Sequence, residues 1–189
     1  MDYIELITAE IMQLNKKYVE TSMDNYNFWE QHIKYVVGEA KWLAEKYNAD
    51  MEIVHLGALL HDVALMACVG GRVDHHINGA RIAEEMLRKI GYPESRITRV
   101  VGCVLNHRSS KNATNNEEVC VADADILAHF DNIPLLFNTA YNRNNVKLET
   151  VKEWMKDCFE KDYNDLSERT KEHFSLRYKM ICNVLFVNY

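Results

Sequence analysis

The stretch Val54 to Leu65, VHLGALLHDVAL, constrains this chain more than any other. It reads as a helix whose apolar length belongs in a core, yet it carries His61 and Asp62 side by side. Two strong metal-binding side chains inside an apolar run cost free energy unless something satisfies them, and a divalent metal would satisfy both. The two positions lie about 100° apart around a helix axis, so both can lean toward one point at the helix edge. Gly57 and Ala58, one turn earlier, are small enough to let a neighbouring helix approach closely.

The rest of the chain suits a bundle built around such a helix. Two prolines and seven glycines among 189 residues, with long periodic stretches between them, predict an all-α fold. The length fits a single domain, residues 1–189, with enough chain to bury a core without staples. A formal net charge of −6 argues against a nucleic-acid backbone as partner. Cys68, Cys103, Cys120, Cys158 and Cys182 form no CxxC pair, the usage of reduced thiols, and predict a cytoplasmic protein. The acidic start MDYIEL is unlike a signal peptide, and no apolar run is long enough to span a bilayer, so no membrane partner is expected.

Apolar periodicity places the helices. The first covers residues 2–21, with Ile4, Ile7, Ile11, Leu14 and Tyr18 on one face. The second runs from Phe28 to Tyr47, and His32 lies on its buried face between Phe28 and Val36. A lone histidine there is more often a hydrogen-bonded core residue than a ligand. The third runs from Asp50 to Leu65. After the loop Met66 to Val73, Asp74 is the expected N-cap of a helix ending at Ile90 and Gly91. His75 and His76 open that helix, where a positive helix end disfavours imidazolium and suits neutral imidazoles; a surface role is an equal reading.

Pro93 fits the first turn of a helix that ends at His107. The next, Glu118 to Phe130, carries Asp123 and Asp125 in an apolar run, and acids there need partners. Beyond Asn132 at least two more amphipathic helices follow. One holds Val146, Leu148, Val151, Trp154, Met155, Cys158 and Phe159, and the last, Ser167 to Phe186, holds Phe174, Tyr178, Ile181 and Leu185. They carry no catalytic constellation and are expected to close the bundle, as a lid or a homodimer face.

In chain order the candidates are His32, His61-Asp62, His75, His107 and Asp125. With "FWEQHIKYV", "LGALLHDVA", "HHINGA", "VLNHR" and "VADADIL" around them, the pattern resembles the HD superfamily of metal-dependent phosphohydrolases. The resemblance covers a core of about residues 25–130, with an N-terminal helix before it and a helical extension, about 131–189, after it. It implies that His32, His61, Asp62 and Asp125 bind one metal, with Ala124-Asp125-Ile126-Leu127 fitting the family's pattern better than Asp123 does. Branches that hold a second metal add two histidines. His75, four residues before Gly79-Ala80, is selected over His76, and His107 closes Val104-Leu105-Asn106-His107, with Asp62 as the bridge.

Imidazoles and carboxylates bind Fe, Mn, Co, Ni or Zn without selecting strongly among them, so one or two divalent transition metals are implied. The implied activity is hydrolysis of a phosphate ester or anhydride in a small, nucleotide-like molecule by a metal-activated water. Asp62 would orient that water, and Arg108 and Lys111 would stabilise charge on the phosphoryl oxygens, with Arg72 as a third cation. Lys111 and Arg72 read equally well as solvated loop cations. Two departures stand out. Many members follow the HD pair with Gly-Lys, where this chain has Val63-Ala64-Leu65. No acidic residue just after the pair offers the general acid some nucleotidases use, so nucleotide monophosphates are not favoured. Two alternatives use the same ligand positions: a di-iron oxygenase of HD type, and a non-catalytic ligand-binding HD domain.

Overall fold

A computed structural model describes residues 2–24, 26–144 and 147–186, and among these the regular structure is helical throughout. Helix α1, Tyr3–Thr21, starts where the Asp2 carboxylate accepts from the Ile4 and Glu5 amides at 3.0 and 3.1 Å. It buries Ile7 and Ile11. A π-helical turn, Trp29–Ile33, then leads into α2, Lys34–Tyr47, which Asn48 closes in the left-handed conformation at φ 52°.

Helix α3, Met51–Leu60, is the centre of the bundle. Ile53, Val54, Leu56, Ala58, Leu59 and Leu60 are all fully buried, so the helix is covered on every side. Packed against it are α1, α2, α6 (Glu94–Asn106) and α7 (Asn116–Asp131). The close approach expected at Gly57 is with α6: a Cβ added there would stand 2.7 Å from Cys103 Cβ.

The run Asp50 to Leu65 is not one continuous helix. It stops at Leu60 and restarts as a single turn, α4 (Val63–Met66), with Asp62 between them at φ −104° and ψ 16°. The apolar pattern continues through the break without a glycine or proline, so periodicity alone could not locate it.

Helix α5, His75–Lys89, ends as expected, with Gly91 at φ +71°. Asp74 occupies the N-cap position, but its side chain caps nothing. Helix α6 follows Pro93. Helix α7 begins two residues earlier than its apolar pattern, because the Asn115 side chain accepts from the Glu118 amide at 3.0 Å and caps it.

The chain beyond Asn132 folds into α8 (Ile133–Asn144), α9 (Leu148–Asp165) and α10 (Glu168–Leu185). Val146, assigned from sequence to the apolar face of α9, lies outside the described residues. Helices α9 and α10 bury Val151, Met155, Phe159 and Phe174 against the bundle. Asp123 anchors α10: fully buried, it accepts from the Ser167 amide at 3.1 Å, from the Ser167 hydroxyl and from the Thr170 hydroxyl at 2.6 Å. No helix among the described residues is long and apolar enough to cross a membrane.

Candidate metal centre

Six donors converge beside the break between α3 and α4. His61, fully buried, sets its Nε2 3.0 Å from His32 Nε2, which the π-helical turn presents. Asp125 of α7 brings Oδ1 to 3.0 Å from His32 Nε2 and 3.7 Å from His61 Nε2. On the other side, His75 at the start of α5 and His107 at the end of α6 set their Nε2 atoms 2.9 Å apart.

Asp62 lies between the two groups. Its Oδ2 stands 3.6 Å from His61 Nε2 and 3.8 Å from His32 Nε2. Its Oδ1 stands 3.3 Å from His75 Nε2 and 3.9 Å from His107 Nε2. The donors therefore form two sets, His32-His61-Asp62 and Asp62-His75-His107, that share one carboxylate, with Asp125 on the first.

The ring orientations fit a divalent cation. His61, His75 and His107 each place Nδ1 2.7 Å from a backbone carbonyl, those of Ala58, Arg72 and Val104. A carbonyl oxygen only accepts, so each Nδ1 carries the hydrogen, and a neutral ring then turns a bare lone pair at Nε2 inward. Two such lone pairs facing each other, as in His75 and His107, repel unless a cation lies between them or a proton sits on one. Nitrogens at about 2.1 Å on adjacent positions around one cation stand roughly 3 Å apart, the separation both histidine pairs show. Burial pushes His107 down to about 4, which keeps the ring neutral at physiological pH. Burial pushes the Asp125 carboxyl up, but the hydrogen bond from His32 and the histidine charges outweigh it and hold the group well below the usual carboxylate range.

The two pairs of adjacent candidates separate cleanly. Asp123 and Asp125 are about 200° apart around α7, so one faces α10 and the other faces the histidines. Asp123 is fully used as the anchor of α10. His76 joins neither donor set, and its buried Nδ1 has no hydrogen-bond partner.

A cavity of about 560 Å³ opens over the centre, lined by His32, Asp62, His75, His107 and Asp125 at one end. Arg72 and Arg108 also line it. Arg108 Nη1 donates to the Val73 carbonyl at 3.0 Å, tying the loop before α5 to the residue after His107. Lys111 is not in the cavity wall; its Nζ lies 3.4 Å from Asp165 Oδ1 at the exposed surface.

Sequence reasoning did not include several wall residues. Leu135, Leu136, Asn138 and Thr139 of α8 line it, as do Tyr18, Tyr26 and Phe28. His129 lines the cavity too, stacked on His32 at 6.2 Å between ring centres, with Nδ1 2.8 Å from Asp162 Oδ2 of α9. Burial lowers the affinity of that ring for a proton, but the Asp162 hydrogen bond and charge more than offset this and raise its pKa. The available signal was spacing: His129 is one turn after Asp125 and shares its face.

Paired histidine-carboxylate sets sharing one aspartate, in an all-helical bundle, make a helical domain with a place that could hold a metal. The HD domain signature matches residues 29–129, more than half of the chain, and the chain belongs to the HD domain family. A crystal structure of a predicted HD superfamily hydrolase from an uncultured Thermotogales bacterium is similar in fold. The TM-score is 0.58 and the identity 22%, over 85% of this chain and 92% of that one. No curated protein sequence matches the chain. HD domains bind divalent metals, and the histidine-aspartate cluster could hold one here.

Proposed function

We propose that this chain is a metal-dependent phosphohydrolase that cleaves a phosphate ester or anhydride in a small, nucleotide-like substrate by attack of water. The observation that carries the reading is the position of Asp62, with Oδ2 toward His32 and His61 and Oδ1 toward His75, at the end of a cavity. The predicted HD superfamily hydrolase that shares the fold is in keeping with hydrolysis.

A bound divalent cation supplies Lewis acidity and lowers the pKa of water toward neutrality. His32, His61, Asp62 and Asp125 would hold one ion, and His75 and His107, with Asp62 shared, a second. The carboxylate of Asp62 would accept a hydrogen bond from the attacking water and so orient it. Arg108 and Arg72 supply the positive charge that phosphoryl oxygens require as the bond breaks. Lys111, paired with Asp165 outside the cavity wall, is left out of this set.

The cavity suits a molecule of nucleotide size, since small-molecule sites span roughly 300–1,000 Å³. Its aromatic and leucine walls suit a flat organic group, and Gln31 and Thr139 offer polar atoms to orient it. The test is turnover by protein purified without chelators, over a panel of phosphate monoesters, diesters and anhydrides with Mn, Co, Ni or Fe added. Metal-dependent release of phosphate or a phosphomonoester supports the reading. Metal-loaded protein that turns over none of them contradicts it, and a mixed-valent di-iron signal with oxygen uptake would assign the oxygenase instead.

A further inference from the structure

One cavity residue combines a fixed position with an unused hydrogen-bond donor. Tyr26 lies in the wall beside the metal donors, in the loop between α1 and the π-helical turn. Its ring meets Phe28 edge-on, at 4.7 Å between centres and 84° between planes, and Phe28 meets Tyr18 in the same way at 4.9 Å. Its backbone amide donates to Asp24 Oδ1 at 3.0 Å, and Asp24 Oδ2 in turn accepts from the Tyr18 hydroxyl at 2.9 Å. Backbone and ring are thus both held, so the phenol tip loses little freedom when it meets a ligand.

The hydroxyl of Tyr26 has no hydrogen-bond partner among the described residues, although those of Tyr18, Tyr47 and Tyr92 each have one. A half-buried phenol normally finds a partner. Burial, then the Asp62 and Asp125 carboxylates, pushes its pKa up, with Arg72 acting the other way, so the group is an O–H donor at any working pH. The same interactions place the phenol in the field of the two ligand carboxylates and of a cavity-lining guanidinium. The guanidinium of Arg72 also has no partner among the described residues, while the Arg72 carbonyl receives His75 Nδ1.

We infer that Tyr26 and Arg72 form a clamp for the phosphoryl group of the substrate, the phenol donating to one non-bridging oxygen and the guanidinium to another. This rests on the phosphohydrolase reading and supplies what the chain lacks after its HD pair. Leu65, three residues after Asp62, is itself a cavity-wall residue and offers no donor. Arg72 and Tyr26 reach the same anion from other walls. The ligand class is a tetrahedral oxyanion carried on a small molecule, with inorganic phosphate as its simplest representative.

The test is calorimetric titration of inorganic phosphate into Mn-loaded protein, comparing wild type with Tyr26→Phe and Arg72→Gln. Metal content and melting temperature are measured alongside. Tyr26→Phe removes the hydroxyl alone and keeps the ring packing. It is expected to keep its metal and melting temperature while binding phosphate about 10-fold to 100-fold more weakly, the size of a hydrogen bond to a charged group. Arg72→Gln is expected to weaken phosphate at least as much and to make the remaining binding less salt-sensitive. With any substrate found, the Tyr26→Phe loss should appear in kcat/KM. Phosphate bound equally by wild type and Tyr26→Phe overturns the clamp alone. Loss of metal from Tyr26→Phe also overturns it, by making the phenol part of the metal centre. Metal-loaded wild type that neither binds phosphate nor hydrolyses phosphate esters overturns the reading beneath it.

Discussion

The carboxylate of Asp62 stands 3.3 Å from His75 Nε2 through Oδ1, while its other oxygen faces His61 and His32. This contact joins the central helix to α5 and makes one centre of two histidine pairs. His75→Ala is therefore expected to lower bound metal from two ions per chain to one, because His32, His61, Asp62 and Asp125 remain. Elemental analysis of protein purified without chelators checks this, and an unchanged stoichiometry would remove His75 from the centre.

Asp123 and Asp125 are predicted to fail in opposite ways. Asp123→Ala strips the acceptor from the part-buried Ser167 amide and the buried Thr170 hydroxyl, at a cost of about 3 kcal/mol in urea unfolding. Its metal content should stay that of the wild type. Asp125→Ala should lose metal and leave the anchoring of α10 through Asp123 intact. A loss of metal in Asp123→Ala without a change in stability would reverse the assignment.

Acid should destabilise the metal-free protein through His107. Its folded pKa, about 4, lies below the ordinary histidine value, so the unfolded chain takes up a proton that the folded state refuses. Above pH ~6.5 the ring is neutral in both states and contributes nothing. As pH falls toward 4, stability drops by about 3 kcal/mol. Urea unfolding in chelator should show this fall in the wild type and a shallower one in His107→Gln. Parallel pH profiles for the two would show that His107 takes its proton as readily folded as unfolded.

The helices and the six donors were legible in the sequence for a shared reason. Apolar residues at three- and four-residue steps mark a buried face, and histidines and aspartates that interrupt such faces stand out as candidates, the structural Asp123 among them. What stayed hidden depended on distant contacts. The break at Asp62 and the π-helical turn at His32 lie inside unbroken apolar patterns, because neighbours rather than local propensity impose them. Which of Asp123 and Asp125 faces the histidines depends on which way two faces of α7 point, and α10 docks on the face that carries Asp123. The His129–Asp162 pair spans 33 residues and looks from sequence like two ordinary helix residues. The α8 leucines match any packing helix, and only the fold places them over the cavity.

The account rests on Asp62 serving two ions at once, and anomalous scattering from crystals grown with Mn tests that most directly. The expected result is two peaks about 3.5–4 Å apart on either side of the Asp62 carboxylate, one beside His32, His61 and Asp125 and one beside His75 and His107. A single peak, with Asp62 bound through one oxygen and His75 and His107 empty, would contradict it.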